Sequence, residues 1–154
     1  MVDVGDVAPG FELPCAPGEL VDVEGHLGRE KVVLLFFPLA FSPVCTTELC
    51  RVSRMWDELE GLDARVFGIS VDSPFVTDRF RREEGIGFPL LSDFNRRVAE
   101  RYGVLYEELL GLRGVSKRAV FVVGANGRVA WRWIAEEAGM EPDYDEVVAA
   151  VEAA

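Results

Sequence analysis

Residues 32–45 read Val-Val-Leu-Leu-Phe-Phe-Pro-Leu-Ala-Phe-Ser-Pro-Val-Cys, and the reading of this stretch decides the fold. Its first six residues form a short continuous apolar run rich in β formers, as expected of a central strand buried on both faces. Pro38 ends the run. Ser42 is a good N-cap and Pro43 suits the first helical position, so a helix is predicted to start here with Val44 and Cys45 in its first turn. Helical periodicity continues to about Leu59, and Gly61 is placed to cap the helix.

The pattern extends in both directions. Arg65–Val71 is a second apolar run and a second buried strand. Pro74–Glu84 reads as a helix, Pro89–Ser92 as a short strand, and Arg96–Tyr102 as a helix ended by Gly103. Ala119–Val123 and Val129–Trp133 flank Gly124-Ala125-Asn126-Gly127, and Asn-Gly between two β-rich runs signals a hairpin. Asp143 N-caps a final helix that runs to Ala153. Upstream, an arm from Asp6 to Leu13 ends in a short strand that Leu20–Val23 can pair with across Pro17-Gly18. Alternating strands and helices followed by a hairpin predict a mixed central sheet flanked by helices. That is the element order of a thioredoxin-like α/β fold with an N-terminal strand extension, and residues 1–154 are expected to form a single domain of this kind.

Composition narrows the function classes. The chain has 154 residues, 49% of them hydrophobic, enough to bury a core without staples. It holds no run of about 18 uncharged apolar residues, so no membrane span is expected. The N-terminus lacks a basic segment followed by an apolar one, so it does not read as a secretory signal, and a cytoplasmic location is expected. A formal net charge of −11, with no Lys/Arg-rich run to offset it, argues against nucleic-acid and anionic-membrane partners. Three cysteines, Cys15, Cys45 and Cys50, do not suggest a disulfide scaffold and leave reactive thiols, metal ligands or buried packing. No metal site is expected: His26 is the only histidine, and Cys45 and Cys50 lack the tight spacing of zinc ligands.

Cys45 has the most informative position. The first amides of a helix have no intrahelical partners and carry partial positive charge. A cysteine placed there is favoured as the thiolate, which is the nucleophilic form. Cys45, Leu49, Val52, Trp56 and Leu59 fall on one helical stripe that should face the sheet, whereas Cys50 lines up with Arg54 and Asp57 on a polar face. Five helical residues turn the chain by about 500° and separate the Cα atoms by roughly 8–9 Å. A disulfide needs less than about 7 Å. Bonding between Cys45 and Cys50 therefore requires the first turns of the helix to unwind.

Pro38-x-x-x-Ser42-x-x-Cys45 resembles the active-site signature of the peroxiredoxins, Pro-x-x-x-Thr/Ser-x-x-Cys. Phe36-Phe37 before it and Thr46-Thr47-Glu48-Leu49 after it fit the flanks. The resemblance covers nearly the whole chain, through Val4-Gly5-Asp6-x-Ala8-Pro9-x-Phe11, Gly68-Ile69-Ser70-Val71-Asp72, Phe88-Pro89-Leu90-Leu91-Ser92-Asp93, Tyr102-Gly103-Val104 and Arg118-Ala119-x-Phe121-Val122-Val123. The bacterioferritin-comigratory (Q-type) and one-cysteine alkyl hydroperoxide reductase-like subfamilies are the most similar. The resemblance implies a peroxidase acting on hydrogen peroxide and organic hydroperoxides. It implies Cys45 as the peroxidatic cysteine and Pro38 as its shield from water. Ser42 would hydrogen-bond the peroxide and the sulfur, and Arg118 would stabilise the thiolate and the developing charge. Backbone N–H groups near Val44 would complete the site. Glu48 would hold the arginine through a salt bridge. Cys50 would be the resolving cysteine, and thioredoxin or a similar dithiol would reduce the disulfide. No metal or organic cofactor is implied, and the family includes monomers and homodimers. Ser42 departs from the threonine common in these subfamilies but keeps the hydroxyl.

Other residues have plainer readings. Cys15 matches no motif and is read as structural or incidental, with a backup resolving role as the lesser alternative, and His26 as a surface residue. Trp56, Trp131 and Trp133 are assigned to packing, and Glu83-Glu84, Glu107-Glu108 and Glu136-Glu137 to solvated faces. Phe41 with Phe75 or Phe88 could form an apolar rim for alkyl peroxides, but ordinary packing is the weightier reading. Three other functions stay open: a one-cysteine peroxidase resolved by an external thiol, a dithiol oxidoreductase that lacks the usual C-x-x-C, and a peroxide-sensing switch or holdase-like binding protein.

Overall fold

The computed structural model describes residues 1–55, 59 and 61–154. A two-stranded antiparallel ribbon, β1 (Glu12–Ala16) and β2 (Glu19–Asp22), precedes the main sheet. The main sheet contains β3 (Lys31–Phe36), β4 (Ala64–Ser70), β5 (Leu90–Ser92), β6 (Ala119–Val123) and β7 (Val129–Ile134) in the spatial order β5-β4-β3-β6-β7. β3, β4 and β5 run parallel, and β6 and β7 are antiparallel to their neighbours, so the sheet is mixed as expected. Its helices are α1 (Pro43–Arg54), α2 (Pro74–Glu84), α3 (Arg97–Tyr102) and α4 (Tyr144–Ala153). Among the described residues no helix is long and apolar enough to cross a membrane.

The sheet is covered on both sides because side chains alternate along a strand. Val32, Leu34 and Phe36 enter one apolar core with Phe121, Tyr102 and Val98. Val33, Leu35 and Phe37 enter the other with Cys45, Leu49 and Val52 of α1, Phe80 of α2 and Val147 and Val151 of α4. Burial on both faces accounts for the continuous apolar sequence of β3. Trp131 and Trp133 are half-buried against the second core, in line with a packing role.

Several local expectations need correction. Gly61 sits in a helical turn, and the left-handed residue that follows is Asp63 (φ 57°), a residue type that tolerates this conformation. Trp56 and Asp57, assigned to the buried stripe and the polar face of the helix, lie outside the described residues. Arg96, expected inside a helix, occupies its N-cap with φ 63°. His26 is more than a surface residue: its Nδ1 lies 2.6 Å from Glu30 Oε2, and its ring packs 5.7 Å from Phe67.

Candidate active site

β3 delivers the chain to the site. Phe36 is its last residue, and a loop over 37–42 leads into α1. The loop is anchored by Asp72, just past β4, whose Oδ2 accepts from the Ala40 N–H at 2.8 Å and from the Ser70 hydroxyl at 2.7 Å. Phe41 is held left-handed at φ 67°, a strained conformation for a bulky residue, with its ring 4.9 Å from that of Phe80. Pro43 starts α1 and supplies no N–H. Thr46 makes the first backbone bond of the helix, to the Ser42 carbonyl at 2.9 Å, so the N–H groups of Val44 and Cys45 precede the ladder. Ser42 holds the N-cap position with extended dihedrals but makes no side-chain cap. Its hydroxyl donates instead to the Leu39 carbonyl at 2.8 Å and tightens the loop.

Strand register brings in the arginine. β3 and β6 are antiparallel with Phe36 opposite Ala119, so Arg118 enters the sheet where β3 leaves it. Arg118 is 2% exposed. Its Nη2 donates to Cys45 Sγ at 3.2 Å and, more weakly, to the Ala138 carbonyl at 3.4 Å. Its Nη1 donates to Glu48 Oε1 at 2.7 Å. Glu48, one helical turn beyond Cys45, is 1% exposed, and its Oε2 has no hydrogen-bond partner among the described residues. Burial pushes the Glu48 carboxyl up to about 7 against the opposing pull of Arg118, and Glu141 adds to the rise. Burial pulls the Arg118 guanidinium down, but Glu48 and Cys45 outweigh it and hold the group above its ordinary value. The salt bridge expected between Glu48 and Arg118 is present.

Cys45 is fully buried, on the apolar stripe with Leu49 and Val52. A cavity of about 240 Å³ opens beside it, lined by Pro38, Ser42 and Val44, by Leu109 and Leu110, and by Arg118. Arg118 both faces this cavity and bonds the sulfur, so the cavity wall lies one hydrogen bond from Cys45. The rim of this cavity is aliphatic rather than aromatic, and Phe88 takes the packing role weighed above the rim. Phe88 is buried in the core beneath, and Phe75 lines a separate cleft with Pro14 and Phe94. Leu109 and Leu110 take the place of these rings. Leu109 and Leu112 exchange backbone hydrogen bonds at 2.8 and 2.9 Å around Leu110 and Gly111, both left-handed, and Leu110 is 86% exposed. A reversal of this kind at a leucine has no glycine or asparagine signal at its first central residue.

Cys50 lies on another face of the same helix, half-buried, with its Sγ 3.8 Å from Glu84 Oε2. Burial raises its thiol pKa, and Glu84 raises it further. All three cysteines are free thiols. Cys15 is half-buried, packs against the first core and contacts Glu19 at 3.9 Å, apart from the site. The structure thus groups Cys45, Arg118, Glu48, Pro38, Ser42 and Val44. Cys50 stays on their helix but points into another contact.

A sequence model of the AhpC/TSA family matches residues 4–132. Alkyl hydroperoxide reductase E of Mycobacterium tuberculosis is 37% identical over 129 residues, covering 82% of this chain and 82% of that protein. Peroxiredoxin Bcp of Escherichia coli is 35% identical over 131 residues, covering 81% of each. The crystal structure of peroxidoxin BcpB from Mycobacterium tuberculosis superposes with a TM-score of 0.86 at 31% identity, over 99% of this chain and 98% of that one.

Proposed function

The chain belongs to the AhpC/TSA family and is a thiol-dependent peroxidase, and on that premise we propose that Cys45 is the sulfur that meets the peroxide and Cys50 the one that resolves it. The observation that carries this reading is the 3.2 Å hydrogen bond from the buried Arg118 guanidinium to Cys45 Sγ at the first turn of α1. A charge-assisted donor and two amides ahead of the helical ladder favour negative charge on that sulfur. The thiolate attacks the outer peroxide oxygen. An S–O bond forms as the O–O bond breaks, leaving a sulfenic acid and an alkoxide or hydroxide that is protonated on leaving. Negative charge moves from sulfur to the leaving oxygen during this step, and donors already aimed at the site stabilise it without rearranging. Arg118 and the Val44 and Cys45 N–H groups are those donors. Pro38 limits water beside the sulfur, and Ser42 offers a hydroxyl to the peroxide once it turns from Leu39.

The apolar lining of the cavity by Leu109, Leu110 and Ala138 supports alkyl hydroperoxides as substrates beside hydrogen peroxide, as does the name of the mycobacterial relative. Cys50 then condenses with the sulfenic acid, releasing water and forming a disulfide that thioredoxin or a similar dithiol reduces. One observation favours a second reading, in which an external thiol resolves Cys45: Cys50 sits against Glu84 on a different face of an intact helix. Intact-mass analysis after one equivalent of peroxide separates the two. A loss of two hydrogens, located between Cys45 and Cys50 by peptide mapping, supports resolution by Cys50. A stable gain of one oxygen supports the external thiol. Oxidation that persists in Cys45→Ser refutes the assignment of the attacking sulfur.

A further inference from the structure

We propose that Glu48 is the proton partner of Cys45, taking up the proton that the sulfur gives away and carrying it while the sulfur is a thiolate. The inference rests on Cys45 being the sulfur that attacks the peroxide, and it adds a task for a carboxyl whose evident part is to hold Arg118.

The argument is a count of buried charge. Arg118 donates one arm to Cys45 Sγ at 3.2 Å and the other to Glu48 Oε1 at 2.7 Å. All three side chains are at most 2% exposed. Among the described residues Arg118 is the cation hydrogen-bonded to Glu48, so one positive charge faces two groups that can each become negative. Ionising both leaves a surplus buried anion, which a low-dielectric site disfavours. Retaining one proton between the two groups makes the cluster neutral. Among the described residues Glu48 Oε2 lies buried with no partner, the state of an oxygen better suited to bear a proton than a charge.

The surrounding groups point the same way. From the segment before α4, Glu141 adds negative charge next to Glu48, and the Tyr144 hydroxyl donates to Glu141 Oε1 at 2.5 Å. Arg51, on α1, pairs with Glu141 at 3.5 Å and is committed there. Burial accordingly pushes the Glu48 carboxyl toward neutrality.

The protons balance over the step. Cys45–SH and Glu48–COO⁻ become Cys45–S⁻ and Glu48–COOH. The sulfur takes the outer oxygen of the peroxide with its hydrogen, giving Cys45–SOH and an alkoxide. The alkoxide is protonated to the alcohol, and Glu48 returns its proton in the same turnover. Once the sulfur is an uncharged sulfenic acid, Arg118 again has a single anion to neutralise. The net change is Cys45–SH plus ROOH to Cys45–SOH plus ROH.

The test uses the full chain carrying Cys50→Ser, in which the sulfenic acid accumulates. Infrared difference spectra at pH 7, oxidised minus reduced, are expected to lose the carbonyl stretch of a protonated carboxylic acid and gain carboxylate bands. Both changes should vanish on adding Glu48→Gln. Should that variant not fold, Cys45→Ser serves instead: with no thiolate to form, its acid band at the same pH should be weaker than that of the reduced Cys50→Ser protein. A second readout is the pH profile of the first oxidation by stopped flow. In Glu48→Gln the sulfur has Arg118 to itself, so the half-maximal rate moves to lower pH. If Glu48 only positions Arg118, the rate falls at every pH with no such move. A spectrum without the Glu48-dependent acid band, while mass analysis shows one oxygen added to Cys45, overturns the proposal and leaves the role of Cys45 intact. Absence of that added oxygen overturns the assignment of Cys45, and the proton partnership with it.

Discussion

Thr47 offers a way to measure whether α1 must open between the two oxidation steps. It is exposed, lies between Cys45 and Cys50, and its hydroxyl donates to the Pro43 carbonyl at 3.0 Å. Thr47→Ala and Thr47→Gly both delete that hydroxyl, so the pair differs only in backbone freedom. Within a helix glycine is about 1 kcal/mol less favourable than alanine. In the closed helix Cys45 and Cys50 stand roughly 8–9 Å apart at Cα, beyond disulfide reach. Opening also uncovers Leu49, which is fully buried and contributes about 1.5–3 kcal/mol to the closed form. The open helix is therefore a minor state, and on the proposed resolution by Cys50 its population sets the rate at which the disulfide closes. A difference of about 1 kcal/mol multiplies that population about fivefold. Rapid-quench alkylation and intact mass, after one equivalent of peroxide, should show the 45–50 disulfide forming about fivefold faster in the Gly variant than in the Ala variant. The first oxidation should not distinguish the two variants, because it occurs on the closed helix. Equal disulfide rates in both would refute the unwinding requirement.

Two further outcomes test the arginine. Arg118→Ala should slow the first oxidation on the order of 10²–10³-fold, the usual effect of removing a donor to developing charge, as read by stopped flow; Arg118→Lys should recover only part of it, since one ammonium cannot reproduce the two-armed contact with Cys45 and Glu48. In a Cys45→Ser background, urea melts should show a pH-dependent cost for Arg118→Met. The folded Glu48 carboxyl binds its proton more tightly than the unfolded one, so stability is greatest at acid pH and falls as pH rises toward about 7. Without Arg118 to hold the carboxyl down, the fall continues above 7, and the gap between the two proteins widens by about 1.4 kcal/mol per pH unit. A gap equal at pH 5 and pH 8 would rule out this account of the pair.

The parts of the site that follow from backbone geometry were legible in the sequence. An apolar run, a proline break and Ser42-Pro43 placed Cys45 in the first turn of a helix, and α1 starts there. Arg118 could be singled out only through the family resemblance, since 73 residues separate it from Cys45; the antiparallel register of β3 and β6 then explains how they meet. Contacts that depend on loop conformation were not legible. Leu110 enters the cavity wall through a tight reversal without a glycine at the first of its two left-handed positions, and Ala138 reaches Arg118 through its backbone carbonyl, which no side-chain pattern announces. Asp72 was visible as part of a motif, but its task of fixing the loop before Cys45 depends on one bond across the strand ends, from Ala40, and a local one from Ser70 that orients the carboxylate. Ser42 illustrates a limit of cap rules: the residue type is right and the position is right, yet the hydroxyl has a better acceptor three residues back.

The alternation along β3 divides the consequences of a change in the core. Val32, Leu34 and Phe36 serve a core that includes the aromatic rings of Tyr102 and Phe121, whereas Val33, Leu35 and Phe37 form the bed on which α1 and its sulfur rest. A change of volume among residues of the first set falls on the face of the sheet away from α1, and its cost is one of stability. A change of volume beneath α1 bears in addition on the helix that carries Cys45, within 3.2 Å of Arg118.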